Sequence, residues 1–152
     1  MNPRPLSPEQ TSALDLLVSK DRLRVVPVDF QKTTRFIEQA REALLELPTI
    51  KTRSIRYDGA YNCAHDVAES LLAAYGFATT NGIGQHVTVG EALVIFFFGH
   101  EAFPIAEEFE FLRRERNQLR YVSHPIGSAQ ADRAINVSKD LLFGAMQILG
   151  AP

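Results

Sequence analysis

Apolar residues recur along this chain mostly three and four positions apart, the spacing that gathers them on one face of an α-helix. Ser7-Pro8-Glu9-Gln10 opens the first such segment with an N-cap serine, a proline at the first helical position and a glutamine placed to close a capping box. Leu14, Leu17 and Val18 give that helix a narrow apolar stripe, which fades near Lys20, and residues 1–6, with two prolines, read as a loose, disordered tail. Asp29 caps a second helix through Leu47, with Phe30, Ile37, Ala40, Leu44 and Leu47 at helical intervals and Pro48 closing it. The third helix, about Ser54 to Tyr75, has the broadest apolar face: Tyr57, Tyr61, Ala64, Val67, Ala68, Leu71, Leu72 and Tyr75, with Gly76 where a C-cap glycine belongs. The fourth, His86 to about Phe98, is apolar nearly all round at its end, which predicts a central position. Gly99 and Pro104 break the chain before a fifth helix that starts acidic and turns basic, an order suited to the helix dipole and to i,i+4 pairs such as Glu110 with Arg114. Pro125 and Gly127 stop it, and Ser128 starts a sixth to about Leu149, with Ile135, Leu141, Leu142, Ala145, Ile148 and Leu149 facing inward.

The connections carry little β signal. Val25, Val26 and Val28 would suit a short strand, but Pro27 interrupts them and no second strand pattern offers a partner, so this stretch reads as an extended connection. Phe77 to Gln85, FATTNGIGQ, reads as a loop; its Gly82-Ile83-Gly84 lacks the preceding strand and the third glycine of a dinucleotide fingerprint. The whole pattern predicts an all-α, up-and-down bundle of five to six helices in one domain, residues 7–152.

Composition narrows the function classes. A formal net charge of -2 supplies no field that would draw the whole molecule to nucleic acid, so any such attraction rests on local clustering. The cluster lies in Phe109 to His124, FEFLRRERNQLRYVSH. Asn117, Tyr121 and His124 fall at i, i+4 and i+7, Arg113, Arg116 and Arg120 run alongside, and Phe109, Leu112 and Leu119 anchor the other side. One reading is a phosphate-facing patch. The other is a solvated helix face laced with Glu107, Glu110 and Glu115. Asn117, mildly unfavourable in a helix interior, is expected to have a side-chain partner.

A second polar stripe runs along the third helix: Asp58, Asn62, His65 and Glu69, with Asp66 beside them. It reads as the outward face of an amphipathic helix, as an acidic partner for the arginine patch within a dimer, or as a metal site joined by His86 and His100. The Glu-x-x-His pair of di-iron bundles is missing, and no metal or cofactor is expected. Cys63 is the single cysteine, which excludes an intramolecular disulfide and a cysteine-based zinc site, and it reads as a small, partly buried filler. No apolar run resembles a signal peptide, and the longest, Ala92 to Phe98, is too short to span a bilayer; a cytoplasmic protein with no membrane partner is expected.

Two of these segments resemble the HEPN superfamily of nucleotide- and RNA-associated helical bundles, a likeness covering roughly half the chain. Ala60 to Glu91 looks like the family's long small-residue helix with its glycine-containing loop, and Arg113-Arg114-Glu115-Arg116-Asn117 looks like its helix bearing an arginine followed by a polar residue. The resemblance implies a homodimer and, in catalytic members, metal-independent ribonuclease activity from an arginine, a polar residue and a histidine after four to six intervening residues. Arg116 and Asn117 match the start of that motif; Tyr121 then stands after four intervening residues and His124 only after seven. Metal-free RNA cleavage needs a group to take the 2'-hydroxyl proton and another to stabilise the phosphorane, and a tyrosine with an ordinary pKa of about 10 is a poor base at neutral pH. The resemblance therefore implies a divergent member that binds RNA or a nucleotide through Arg113, Arg116, Asn117, Arg120 and Tyr121, in a toxin-antitoxin or defence setting with an antitoxin-type protein partner. An endoribonuclease with His124 as base and Arg116 as phosphorane stabiliser is the alternative. A non-catalytic protein-interaction bundle, its arginines forming a salt-bridge network, is a third reading from a different class.

Overall fold

The structure is a computed structural model that describes residues 1–80, 84–121 and 125–151, without the side chains of 119–121. Among the described residues it has six α-helices: α1 (Pro8–Ser19), α2 (Phe30–Glu46), α3 (Arg53–Tyr75), α4 (Gln85–Phe97), α5 (Phe103–Tyr121) and α6 (Ser128–Leu149). The all-α bundle read from the periodicity is the architecture the chain adopts. No helix among the described residues is long and apolar enough to cross a membrane.

The caps form where the local chemistry places them. Ser7 Oγ accepts from Gln10 N–H at 3.2 Å, and Gln10 Oε1 accepts from Ser7 N–H at 2.9 Å, closing the box at the start of α1. The same Gln10 amide donates to the Ile95 and Phe96 carbonyls at 2.8 and 3.1 Å, so one capping residue also ties α1 to the end of α4. Asp29 Oδ1 caps α2 through Lys32 N–H at 2.8 Å, and Gly76, at φ 78°, closes α3 in the left-handed conformation that glycine adopts without strain.

Three expectations need correction. The extended connection and the loop pair with each other: β1 (Leu23–Val25) and β2 (Phe77–Thr79) form an antiparallel ladder with Leu23 opposite Thr79 and Val25 opposite Phe77. Pro27 lies beyond the paired residues, so its missing N–H removes no ladder bond. Secondly, the central helix is α3. Tyr57, Ala60, Cys63, Ala64, Val67 and Leu71 are all buried, and α2, α4, α5 and α6 all pack against it. Its buried alanines let neighbours approach closely. Thirdly, Pro104 sits in the first turn of α5, where a proline costs no hydrogen bond, and Gly99, at φ 72°, makes the break.

Residues 1–6, read from the sequence as a loose tail, run along the end of α6. Asn2 and Arg4 N–H donate to the Leu149 and Ile148 carbonyls at 3.0 and 2.8 Å, and Tyr75 Oη donates to the Arg4 carbonyl at 2.7 Å. Pro3 and Pro5, alternating with those donors, have no N–H to satisfy.

The helices meet closely at Gly144, where an added Cβ would stand 2.6 Å from Phe97 Cε1 and 3.2 Å from Ala102 Cβ. Phe97 is fully buried and has little room to retreat. Gly144→Ala should therefore destabilise by about 1–3 kcal/mol through overpacking, outweighing the ~1 kcal/mol that alanine gains in helix propensity. A lowered midpoint in chemical denaturation checks this; a raised one would show that the α4–α6 contact gives way.

Candidate functional site at the α3, α4 and α5 junction

The rotation of α5 is set by its buried side. Phe109 and Leu112 are fully buried, and Glu115 is clamped twice, accepting from Tyr57 Oη of α3 at 2.6 Å and from Gln130 Nε2 of α6 at 2.8 Å. Arg133 of α6 adds an ion pair to Glu108 and lays its guanidinium 4.3 Å from the Phe111 ring centroid. With Glu115 fixed, the next residue, Arg116, faces α3. Its Nε donates to Asp58 Oδ1 at 2.8 Å, and its guanidinium carbon lies 4.7 Å from the centroid of the Tyr61 ring.

Tyr61 joins the three helices. Its ring stacks on Phe109 with centroids 5.3 Å apart, and its hydroxyl shares a 3.1 Å hydrogen bond with Nδ1 of His86 in the first turn of α4. One turn along α3, His65 packs against the His86 ring at 5.0 Å between centroids, and its Nε2 is buried with no hydrogen-bond partner. Arg113 completes the edge: its Nε and Nη2 both donate to the Glu110 carboxylate at 2.7 Å, which also accepts from Arg114 at 2.8 Å.

These contacts fix the charge states. Burial, then His86, then Arg116 push the His65 pKa down to about 4. The His86 pKa is lowered by partial burial and by Arg116 and Arg113. Burial raises the Tyr61 phenol to about 12 against the pull of the two arginines. At neutral pH the junction therefore holds arginine cations beside two neutral imidazoles and a protonated phenol. Glu110 is held below the usual carboxylate range, chiefly by its hydrogen bond from Arg113.

The residues read from the sequence fall out as follows. Arg113 and Arg116 meet at one edge, and the expected Glu110–Arg114 pair forms. Asn117 is exposed and has no side-chain partner among the described residues, so the partner expected for it is not found; pointing into water removes the need for one. The side chains of Arg120 and Tyr121, and His124 altogether, lie outside the described residues. The stripe on α3 is not a uniformly solvated face: Glu69 is 8% exposed, Asp66 is half-buried with its pKa raised to about 6 by burial and by Glu69, and Asp58 binds Arg116 within the same chain. His100 accepts from Ala102 N–H through Nδ1 at 3.1 Å and packs on Phe97, apart from the His65–His86 pair, and no group of three potential metal ligands occurs among the described residues. Cys63 is buried, and its thiol is pushed up to about 12 by burial and by Asp66, as befits an inert filler.

Sequence reasoning assigned Tyr61 to the core and gave His86 the start of a helix and a metal reading with His65 and His100, and it placed neither beside Arg116. The available signal was Tyr61 itself, since a phenol on a buried face needs a hydrogen-bond partner from a neighbouring element. Comparison with family models, with curated proteins and with solved structures finds no match to this chain.

Proposed function

We propose that the chain binds a phosphate-bearing ligand, an RNA or a nucleotide, at the junction of α3, α4 and α5, as a divergent member of the HEPN superfamily acting as a homodimer in the cytoplasm. The observation that carries this reading is the posture of Arg116. Asp58 holds the Nε edge of its guanidinium and Tyr61 supports its face. The Nη edge is the one a phosphate would meet in bidentate fashion, and a fork already held in place loses less freedom on binding. Arg113 and Asn117 flank it on α5, exposed His86 stands beside it, and Arg120 and Tyr121 extend the same helix by one turn. A toxin-antitoxin or defence setting with an antitoxin-type partner belongs to the same resemblance.

One observation favours a second reading, metal-independent RNA cleavage. A general base at neutral pH must be unprotonated, and His86 is held so by partial burial and then by Arg116 and Arg113, the arginines that would also stabilise a phosphorane. His86 on α4 then joins His124 as a candidate for the base that the α5 motif lacks at its usual spacing.

Both readings are tested by RNA binding and cleavage on one gel with EDTA present. Arg116→Ala should weaken binding by at least about tenfold, the loss of one charge-assisted contact of roughly 1.5–3 kcal/mol, whereas Arg114→Ala, already exposed and paired with Glu110, should change it by less than about twofold. Raising the salt should weaken wild-type binding. Cleavage lost in His86→Ala or His124→Ala with binding retained would support the enzyme. Equal binding by folded Arg116→Ala and wild type would overturn the proposal and leave a protein-interaction bundle, for which the Glu110 and Asp58 ion pairs are structural.

A further inference from the structure

Tyr61 touches both Arg116 and His86, and it does so with different parts of its side chain. The Arg116 guanidinium carbon lies 4.7 Å from the centroid of its ring, and its hydroxyl meets Nδ1 of His86 at 3.1 Å. The first contact supports a cation. The second decides which imidazole nitrogen carries the hydrogen, because a neutral imidazole has one donor and one acceptor.

The direction of the 3.1 Å bond follows from what else the two groups can reach. Tyr61 is 1% exposed, and its hydroxyl has no second partner among the described residues. Were Nδ1 to carry the hydrogen, the phenol oxygen would accept it and the phenol's own hydrogen would be left without an acceptor, cut off from water. An orphaned buried donor costs more than one made hydrogen bond contributes, so the phenol donates to a bare Nδ1. Arg116 works in the same direction, since a cation over the ring face makes the hydroxyl a better donor and a poorer acceptor. Partial burial, then Arg116 and Arg113, keep a second proton off the imidazole. The one hydrogen therefore sits on Nε2.

The ring is also held in place. His65, one turn along α3, packs against it with centroids 5.0 Å apart and planes tilted by 56°, so His86 is fixed by a ring contact as well as by the Tyr61 hydroxyl. His86 is exposed, and its Nε2 has no hydrogen-bond partner among the described residues. We infer that Tyr61 is a positioning residue that holds His86 in its Nε2–H tautomer, so that the imidazole donates a neutral hydrogen bond to an oxygen of the phosphate that Arg116 binds. The inference rests on the ligand-binding reading of this junction. It also divides the histidines of the ribonuclease reading: a nitrogen that already carries a hydrogen cannot take one from a 2'-hydroxyl, so His86 holds the phosphate and the base is left to His124.

Two measurements on the full chain test it. Long-range 1H–15N correlation spectra of the 15N-labelled protein at neutral pH separate the two tautomers, and the His86 signals are identified by their loss in His86→Leu. They should show the Nε2–H pattern. Binding of RNA and of a nucleoside monophosphate, with EDTA present, then reads the donor. His86→Leu should weaken binding roughly three- to tenfold, as for one neutral hydrogen bond, without changing its dependence on salt, because a neutral group releases no counterion. His86→Gln, whose amide donates but cannot serve as a base, should bind within about twofold of wild type. Tyr61→Phe keeps the ring under Arg116 and should weaken wild type by a factor like that of His86→Leu, yet change His86→Gln little, because glutamine has no Nδ1 to hold. A tyrosine that only packs would cost both backgrounds alike. The inference alone is overturned by an Nδ1–H ring, by His86→Leu binding as wild type where Arg116→Ala does not, by His86→Gln binding no better than His86→Leu, or by equal losses from Tyr61→Phe in both backgrounds. Wild type that binds neither probe overturns the ligand-binding reading, and the donor role with it.

Discussion

Tyr57→Ala should cost about 3–5 kcal/mol of stability, the largest effect expected of any single change near the arginine face. Tyr57 is fully buried between α3 and α5, and removing its ring leaves a cavity under Leu112 that two packed helices cannot collapse to fill. Its hydroxyl has a separate role. It lies 2.6 Å from Glu115 Oε2 and 3.1 Å from the Leu112 carbonyl, and burial, followed by the Glu115 carboxylate, keeps the phenol protonated and donating. Tyr57→Phe keeps the ring and removes only the donor, so it should cost about 1.5–3 kcal/mol, as for a hydrogen bond to a charged group, and fall toward the lower figure because Gln130 still holds Oε1. The loss should also reach the candidate site. Glu115 precedes Arg116 in the chain, and the Tyr57 clamp helps set the rotation that puts Arg116 on Asp58 and Tyr61. Urea denaturation of the two variants separates packing from hydrogen bond. A Tyr57→Phe midpoint within about 0.5 kcal/mol of wild type would show that Gln130 alone fixes Glu115.

The helices could be read from the sequence because the signals that start and stop them are local. The Ser7–Gln10 box, the Asp29 cap and Gly76 each act within one turn, and each appears in the structure where the pattern put it. The β1–β2 ladder could not be read. Three-residue strands are too short to display a period of two, and each is stabilised only by a partner more than fifty positions away. The centrality of α3 was hidden for a related reason: alanine carries no strong hydrophobic signal, yet buried Ala60, Ala64 and Ala68, four apart along one face of α3, let a neighbour pack closely there. At the site, helical spacing grouped Arg113 with Arg116, and Asp58 with His65. Spacing within one helix says nothing of which face of the next it meets, so the Asp58–Arg116 pair and the Tyr61–His86 bond emerge only from how α3, α4 and α5 are rotated against one another.

Asp66→Asn should make the fold more acid-sensitive than wild type, losing up to about 3 kcal/mol of stability between pH 6.5 and pH 4. His65 has an ordinary pKa of 6.5 and a folded-state pKa of about 4, so in that window the unfolded chain takes up a proton that the folded chain refuses. Its contribution is fully present above pH 6.5 and is lost as the pH falls through 4, and partly buried His86, also lowered, acts in the same direction. Asp66 does the reverse. Its ordinary pKa is 3.8 and its folded value about 6, raised by burial and then by Glu69, so between those limits the folded chain holds a proton that the unfolded chain releases. That contribution is present below pH 3.8 and lost as the pH rises through 6, and Glu69, raised chiefly by burial, adds to it. The two residues are neighbours on α3 and oppose each other over nearly the same window, His65 worth up to about 3 kcal/mol at its limit and half-buried Asp66 less, because water screens it. Wild type should therefore lose less stability from pH 6.5 to pH 4 than His65 alone would cost it, apart from carboxylates such as Glu110 whose lowered pKa makes them lose their contribution at the acid end. Asp66→Asn removes one side of the balance and exposes the histidine slope; His65→Gln removes the other, and its stability should rise as the pH falls. Urea midpoints for the three proteins across the window decide the matter, and parallel curves for Asp66→Asn and wild type would mean that the Asp66 carboxyl titrates alike in the folded and unfolded chain.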